Sequence, residues 1–221
     1  MKLIADTHAH TIASGHAYSS LREMAFAASN NGLEVLSITE HAPEMPGSCQ
    51  EIYFRNFQVI PREMHGVKLL LGTELNIMNP NGELDLSETI CKNLDIVIAS
   101  IHSPCYGFGH TKEENTRAYT EVMKKPYVDI IGHPDDGRFP VDYEVLVRTA
   151  KETKTLLEQM LDLCKQYEVC VTTGSDAHID VDAGNFEYVK EVLEYCKFPE
   201  ELVVTTEFNK LKQFLNNYKE S

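Results

Sequence analysis

The sequence predicts an α/β fold built on a parallel sheet or barrel. Short apolar runs of strand composition alternate with amphipathic segments of helical composition along all 221 residues, which is the order typical of repeated βα units. No Pro-, Gly- or Ser-rich linker and no repeat of fixed period interrupts this alternation. We therefore expect residues 1–221 to form a single domain with one sizeable core.

Seven apolar runs are predicted as strands. They span residues 2–5, 35–39, 67–71, 96–101, 128–131, 169–171 and 202–205. A small hairpin around Asn81-Gly82 should follow the third run, because Asn-Gly favours a tight turn between strands. Helices are predicted for the intervening segments, and a Ser20–Glu23 capping box should open the first of them. They span residues 21–32, 111–124, 142–153, 184–196 and 206–218.

Composition and charge exclude several classes of function. The net charge is −14 at pH 7, and without a Lys/Arg cluster this disfavours binding to a nucleic-acid backbone. No apolar run approaches membrane-spanning length, and the first residues lack a signal-peptide pattern. The six cysteines show no C-x-x-C spacing, so we expect reduced thiols, a cytoplasmic location and no membrane partner. The sequence does not indicate an oligomeric state.

Residues able to bind metal recur at the ends of the predicted strands. The first run leads into His8-Ala9-His10, whose two imidazoles share one strand face because positions i and i+2 do. In a parallel barrel the carboxyl ends of the strands meet on one face, so such residues should converge. The candidate ligands are His8, His10, His16, His41, Glu74, His102, His133, Asp176 and His178.

Imidazole and carboxylate donors without cysteine suit zinc, manganese or iron. Nine donors exceed what one ion needs, and with one bridging carboxylate they suit three divalent ions. Of the three metals, we expect zinc before manganese or iron. Taken singly, several donors have a plainer explanation. His16 is a loop residue, His133 can shape a turn, and Glu74 can be a surface carboxylate. The prediction rests on the joint pattern, which the Asp176-x-His178 spacing supports independently.

These motifs, in this order, resemble those of the PHP (polymerase and histidinol phosphatase) family, and the chain is most similar to its stand-alone branch of small bacterial phosphatases. The motifs extend over nearly the whole chain. They are residues 6–10, 39–41, 72–74, 102, 132–134 and 174–178. The resemblance implies a distorted seven-stranded (β/α)7 TIM-like barrel with a trinuclear metal centre.

The resemblance also implies how the ligands divide among the ions, with Glu74 bridging two of them. The first ion would be held by His8, His10, Glu74 and Asp176, the second by Glu74, His102 and His133, and the third by His16, His41 and His178.

We therefore expect a metal-dependent phosphomonoesterase that acts on a small phosphorylated substrate. The ions would neutralise the phosphate, and a hydroxide bridging two of them would attack phosphorus. Glu74, Asp176 and His178 are the expected catalytic residues. Arg138 is either a phosphate contact or a solvated loop arginine, and His110 is either the acid that protonates the leaving group or a bystander.

Other interpretations stay open. A metal-dependent nuclease for single-stranded DNA is disfavoured by the negative charge, and histidinol-phosphate phosphatase activity occurs in the same family. Amidohydrolases often bridge two metals with a strand-end lysine, where this chain has Glu74. The chain also departs from the family pattern after Glu158, where roughly 20 residues are absent, about one strand end and a loop. A non-catalytic metal-binding module that kept its ligands is therefore a further alternative.

Overall fold

A computed structural model of the chain describes residues 1–158 and 160–218. Within them, seven strands form one sheet in which six strands run parallel in the order β1-β2-β4-β5-β6-β7, while β3 pairs antiparallel with β4. The strands are β1 (Ala5–Asp6), β2 (Val35–His41), β3 (Glu63–Met64), β4 (Val67–Asn76), β5 (Ile96–Ser100), β6 (Ile130–Ile131) and β7 (Leu156–Leu157). This confirms the predicted parallel α/β barrel of seven strands, although neither β3 nor β7 was among the predicted runs. The predicted strand at residues 169–171 is wrong in detail, because only Val171 pairs there, through isolated bridges.

The sheet curls and closes through isolated backbone pairs. Val171 bridges Leu157 on one side and Val203 on the other, both in parallel, and the Ile4 N–H donates to the Thr205 carbonyl at 2.9 Å, back beside β1. The predicted strand at residues 202–205 is wrong in detail. It consists of two 3₁₀ turns, Glu200–Leu202 and Val204–Thr206, because i→i+3 hydrogen bonds take backbone groups that a ladder would need.

Nine helices lie among the described residues. They are α1 (Leu21–Asn30), α2 (Glu51–Arg55), α3 (Glu88–Cys91), α4 (Ser103–Tyr106), α5 (Lys112–Met123), α6 (Tyr143–Thr153), α7 (Leu161–Tyr167), α8 (Glu187–Tyr195) and α9 (Phe208–Lys212). The predicted capping box before α1 is present, and the hairpin after the third predicted strand is marked by an antiparallel bridge between Ile77 and Leu84. The predicted helix 206–218 is much shorter. Beyond it, Asn216 binds the buried Asp129 carboxylate instead of continuing the helix.

The core has two layers, because both faces of a parallel sheet are covered. One set of strand side chains packs outward against the helices, and the alternate set fills the barrel. In β4, for example, Leu69 and Leu71 belong to the outer layer and Leu70 to the inner one. Leu211 and Leu215 from the C-terminal segment join the inner layer. None of the described helices is both long enough and apolar enough to cross a bilayer.

Candidate metal centre

The first ligand motif follows β1 directly and is fully buried. His8 and His10 both have no exposed surface. Asp6 fixes the backbone around them, since its carboxylate accepts hydrogen bonds from the backbone N–H groups of His8, Ser175 and Gly184 at 3.2, 3.0 and 2.9 Å. Asp6 thereby joins the His-x-His motif to the Asp176 motif. Its hydrogen bonds to backbone N–H groups hold the two motifs together. The Asp6 carboxylate contacts neither the His8 nor the His10 imidazole.

Glu74 lies at the centre of the cluster. It belongs to β4, pairs in register with His41 of β2, and is completely buried. Its Oε1 lies 3.0 Å from His133 Nε2 and 3.2 Å from His102 Nε2, and its Oε2 lies 2.8 Å from His41 Nδ1. His8 Nε2 and His10 Nε2 approach the same carboxylate at 3.3 and 3.5 Å. One carboxylate is therefore surrounded by five imidazoles.

The cluster perturbs the protonation of its members in opposite directions. Burial raises the pKa of Glu74, but His102, His8 and His41 outweigh it and hold that pKa well below its usual range. Burial lowers the pKa of His10 to about 3. Burial also lowers the pKa of His8, yet the carboxylates of Glu158, Glu74 and Asp176 raise it well above the ordinary value. Ionised carboxylates and neutral imidazoles are the forms that bind metal.

The remaining donors form the solvent-facing side of the cluster. The Asp176 carboxylate lies 3.2 Å from His10 Nε2 and is 48% exposed. His178 Nε2 lies 3.2 Å from His16 Nε2, and the His16 ring stacks on that of His41 at 4.8 Å between centroids. The structure therefore brings all nine predicted ligands together, buried at the strand ends and progressively exposed toward Asp176 and the His16 loop.

Four of the buried donor atoms in the cluster form no hydrogen bond within the described part of the chain. Among the described residues, His8 Nε2, His10 Nε2, His41 Nδ1 and Glu74 Oε2 are buried and have no hydrogen-bond partner. Three sets of donor atoms each lie within 4.8 Å of one another. They are His8/His10/Glu74, His41/Glu74/His102 and His10/His41/His178. Buried polar atoms are normally paired, so these orphaned nitrogens and oxygen fit a divalent metal that would complete their pairing.

Several ligands are oriented by a hydrogen bond at the other ring nitrogen. His8 Nδ1 contacts both oxygens of Glu158 at 3.1 and 3.2 Å, and His102 Nδ1 donates to Asn76 Oδ1 at 2.7 Å. His10 Nδ1 lies 3.1 Å from Ser14 Oγ, whose hydroxyl donates to Glu40 at 2.6 Å. A proton on Nδ1 leaves the Nε2 lone pair free for the centre, as in known metal-ligating histidines.

Two candidate ligands have strained backbones. His133 and Asp176 adopt φ values of 29° and 52°, a left-handed region that costs energy for a residue with a Cβ atom. In each case the strain is held by hydrogen bonds from neighbouring elements, since the His133 N–H donates to Glu158 and the Asp176 N–H to the His8 carbonyl. Strain retained in this way is typical of functional sites.

With this geometry established, the family can be assigned. The PHP domain family matches residues 6–174 of the chain. The chain belongs to this family. The match extends over more than half of the chain and includes seven of the nine candidate ligands, all except Asp176 and His178, which follow it.

Two relatives of this PHP domain protein are similar over almost their whole length. A protein of Clostridium novyi named a probable phosphatase is 43% identical over 235 residues, covering 98% of this chain and 96% of the relative. A probable phosphatase of Acetivibrio thermocellus is 41% identical over 237 residues, covering 100% of this chain and 98% of the relative. That alignment is 16 positions longer than the 221 residues of this chain. The relative therefore has at least 16 residues with no counterpart in this chain.

A solved structure shows the same fold. Histidinol phosphate phosphatase from Lactococcus lactis, complexed with zinc, L-histidinol and phosphate, superposes with a TM-score of 0.60 at 19% identity, covering 88% of this chain and 94% of that one. At this identity the likeness concerns the fold, which supports the barrel that the motifs predicted.

Two other predicted site residues lie outside the cluster. Arg138 is 63% exposed on its side chain, and its guanidinium donates to Asp136 Oδ2 at 2.7 and 2.9 Å and to Asp136 Oδ1 at 3.0 Å. His110 Nε2 contacts the Tyr106 carbonyl at 3.2 Å, and its Nδ1 lies 3.8 Å from Glu114. Their roles as phosphate contact and proton donor stay predictions, as does the division of the nine ligands among three ions.

The residues that orient the ligands were not predicted from the sequence. Asn76 was identifiable in principle, because it stands at the end of β4, where other candidates were found. Glu158 was not, because the strand before it, β7, was not among the predicted runs. Ser14 carried no such signal, whereas Glu40 follows the predicted strand 35–39 and was named only as part of the motif 39–41. Their pairing depends on the turn Ile12–Ser14, which places the Ser14 hydroxyl beside the end of β2, where it also accepts the His41 N–H at 3.0 Å.

Proposed function

We propose that the protein is a metal-dependent phosphomonoesterase with a trinuclear centre of divalent ions, zinc first, at the carboxyl end of the barrel strands. The proposal rests on one observation, the convergence of nine donor residues that include Glu74, four of which have a buried nitrogen or oxygen atom without a hydrogen-bond partner among the described residues. The names of the relatives, probable phosphatases at about 40% identity, support the same reaction class. So does the complex of the Lactococcus lactis structure with zinc, L-histidinol and phosphate.

Bound divalent ions would offset the charge of the phosphate and lower the pKa of a coordinated water to about 7, so that hydroxide is available at neutral pH. The chain supplies the fixed geometry. Glu74 stays ionised because its pKa is held low by His102, His8 and His41 against the opposing effect of burial. It is therefore suited to bridge two cations rather than to move a proton.

The exposed side of the cluster is where a substrate would approach. Asp176, His178 and His16 face solvent, whereas Glu74, His8 and His10 form the buried floor. Hydrolysis breaks the bond between phosphorus and the ester oxygen and forms a bond between phosphorus and the oxygen of water. The leaving alcohol takes up a proton. Asp176, half exposed at the edge, can orient the incoming water by accepting a hydrogen bond from it.

The proposal is tested by phosphate release from an aryl phosphomonoester with metal-stripped protein reloaded with zinc or manganese. We expect release only after reloading. His178→Ala should lose one bound ion and at least about 100-fold in turnover, since one such ion contributes several kcal/mol of charge stabilisation. His65→Ala is the matched control, because His65 is exposed and lies outside the cluster.

Two outcomes would contradict the proposal. If protein shown to hold three ions releases no phosphate from any monoester, the phosphatase assignment is wrong; cleavage of single-stranded DNA by the same sample would instead favour the nuclease alternative. If His178→Ala keeps three ions and full turnover, His178 does not belong to the centre.

A further inference from the structure

A cavity of about 440 Å³ opens directly beside the candidate metal centre. It lies between the end of β7, the segment 171–176 and helix α8, and Glu158, His133 and Asp176 form one end of it. Small-molecule sites typically occupy roughly 300 to 1,000 Å³. The cavity is therefore large enough for a ligand that also reaches the metal centre.

The far wall of the cavity is apolar. Helix α8 contributes Val189, Val192 and Leu193, a spacing of i, i+3 and i+4 that puts the three side chains on one helical face. Met160 and Leu161 line it from the start of α7. A ligand with its polar end at His133 and Asp176 would thus place its other end against hydrocarbon.

The charged groups of the lining are of one sign apart from His133. Asp135, Glu158, Asp162 and Asp176 are all carboxylates, and no lysine or arginine is among the described residues that line the cavity. A second phosphate or a carboxylate on the ligand would be repelled here. An uncharged apolar group meets no such penalty and gains from leaving water.

The cavity is bounded by an unusually short connection. The connection from β7 to α7 spans residues 158–160, at the place where the family pattern has a strand end and a loop of roughly 20 more residues. The Acetivibrio thermocellus relative aligns over 16 more positions than this chain has residues. Because the connection is short, Met160 and Leu161 lie at the cavity wall. In a chain with the longer loop, that loop would begin at this end of the strand.

We propose that this cavity receives the uncharged, apolar alcohol part of the phosphomonoester, with Val192 and Val189 as specificity-determining residues. This inference rests on the proposed phosphatase function, because it places the phosphate at the metal centre and the alcohol in the cavity. Alkyl or aryl monophosphates are then preferred over nucleotides and bisphosphates, which would bring further negative charge near the carboxylates, and over sugar phosphates, whose hydroxyls find no hydrogen-bond partner on the apolar wall of α8.

The test is a binding series that does not require turnover. Methyl-, butyl-, hexyl- and octylphosphonate, which resist hydrolysis, are titrated calorimetrically into the zinc-loaded protein. We expect Kd to fall about two- to fourfold for each added methylene until the cavity is filled, with an increasingly negative heat-capacity change, the signature of apolar burial. A Kd independent of chain length would overturn the proposal.

Matched variants locate the effect. Val192→Phe, and separately Val189→Phe in case the first variant does not fold, should abolish the chain-length dependence by filling the cavity. Val59→Phe makes the same change at a residue that is 67% exposed and outside the cavity, and it should leave the series unchanged. If both α8 variants fold, shown by thermal melting, and keep the wild-type dependence, the cavity is not the binding site.

A parallel assay separates this inference from the function on which it rests. The corresponding alkyl phosphates are tested for phosphate release by the same loaded protein. Chain-length-dependent phosphonate binding without phosphate release would support the cavity and overturn the phosphatase. Release that is equally efficient from methyl and octyl phosphate, with flat phosphonate binding, would support the phosphatase and overturn the cavity.

Discussion

Removing the Glu158 carboxylate should weaken metal binding although Glu158 is not among the nine candidate ligands. Its two oxygens lie 3.1 and 3.2 Å from His8 Nδ1, and its Oε2 also accepts the His133 N–H at 3.2 Å. The carboxylate therefore orients one ligand through its ring and another through its backbone. Glu158→Gln keeps an acceptor oxygen but loses the charge, and Glu158→Ala loses both contacts.

The expected magnitude follows from these contacts. A hydrogen bond to a charged group contributes about 1.5–3 kcal/mol, and about 1.4 kcal/mol is a tenfold change in affinity. We therefore expect zinc affinity to fall about 10-fold in Glu158→Gln and about 100-fold in Glu158→Ala, which lies within the usual range for partners that orient metal ligands. Ala loses more because the strained His133 also loses its N–H acceptor.

Zinc affinity is measured by competition with a chromophoric chelator at fixed pH. Glu152→Ala is the control, since Glu152 is exposed on α6 of the same region. Circular dichroism verifies that each variant is folded. The reasoning is refuted if folded Glu158→Ala binds zinc as tightly as Glu152→Ala, because the His8 imidazole would then hold its orientation without the carboxylate.

Three further changes test other parts of the structure. Gly174→Ala should destabilise the fold by about 1–3 kcal/mol and impair zinc binding, because a Cβ at residue 174 would collide with His8 and lie 2.8 Å from Glu158 Oε1. Gly137→Ala should do neither, because a Cβ at residue 137 would enter open space, and equal melting curves for the two variants would contradict this reasoning. Burial raises the pKa of Asp129 from 3.8 to about 7 in the folded state, so its stabilising contribution is complete below about pH 4 and lost as the pH rises through about 7. In urea titrations the unfolding free energy of the wild type should thus fall by up to about 4 kcal/mol more between pH 4 and 8 than that of Asp129→Asn, whereas identical pH profiles would show that Asp129 is not the group responsible. If Arg138 contacts the phosphate, Arg138→Ala should raise KM several-fold with little change in kcat, while Arg148→Ala, an exposed arginine paired with Glu144, changes neither; the same KM in both variants would leave Arg138 as a surface residue paired with Asp136.

The positions of the candidate ligands at strand ends were predictable because they follow from strand order, whereas the loop residue His16 does not. Once the runs before His8, Glu74 and His102 are predicted as parallel neighbours, their carboxyl ends must meet, and the β2–β4–β5 register brings His41 beside Glu74. The contact between Glu158 and His8 was not predictable in this way. It joins residues 150 positions apart and depends on how far the barrel curls between β7 and β1.

The closing segments of the barrel were predicted less well for a local reason. Residues 202–205 have a β-branched, apolar composition that favours a strand. The hydrogen bonds from Leu202 N–H to Pro199 and from Val203 N–H to Glu200, both 3.1 Å, form 3₁₀ turns instead. Only Val203 and its neighbours keep contact with Val171. Hydrophobic pattern indicates that a segment is buried in the barrel, but it does not decide between a ladder and successive tight turns.

The two sides of the candidate site are supported by different numbers of backbone pairs between strands. β2, β4 and β5 are joined by continuous ladders and carry His41 and Glu74, whereas the seam from Leu157 through Val171 to Val203 is held by single bridges. Amide protons along that seam should exchange with solvent sooner than those of β4, because fewer interactions must break for it to open. If the proposed substrate binds as inferred, the cavity wall beside this seam should therefore move more readily than the buried strand ends around Glu74.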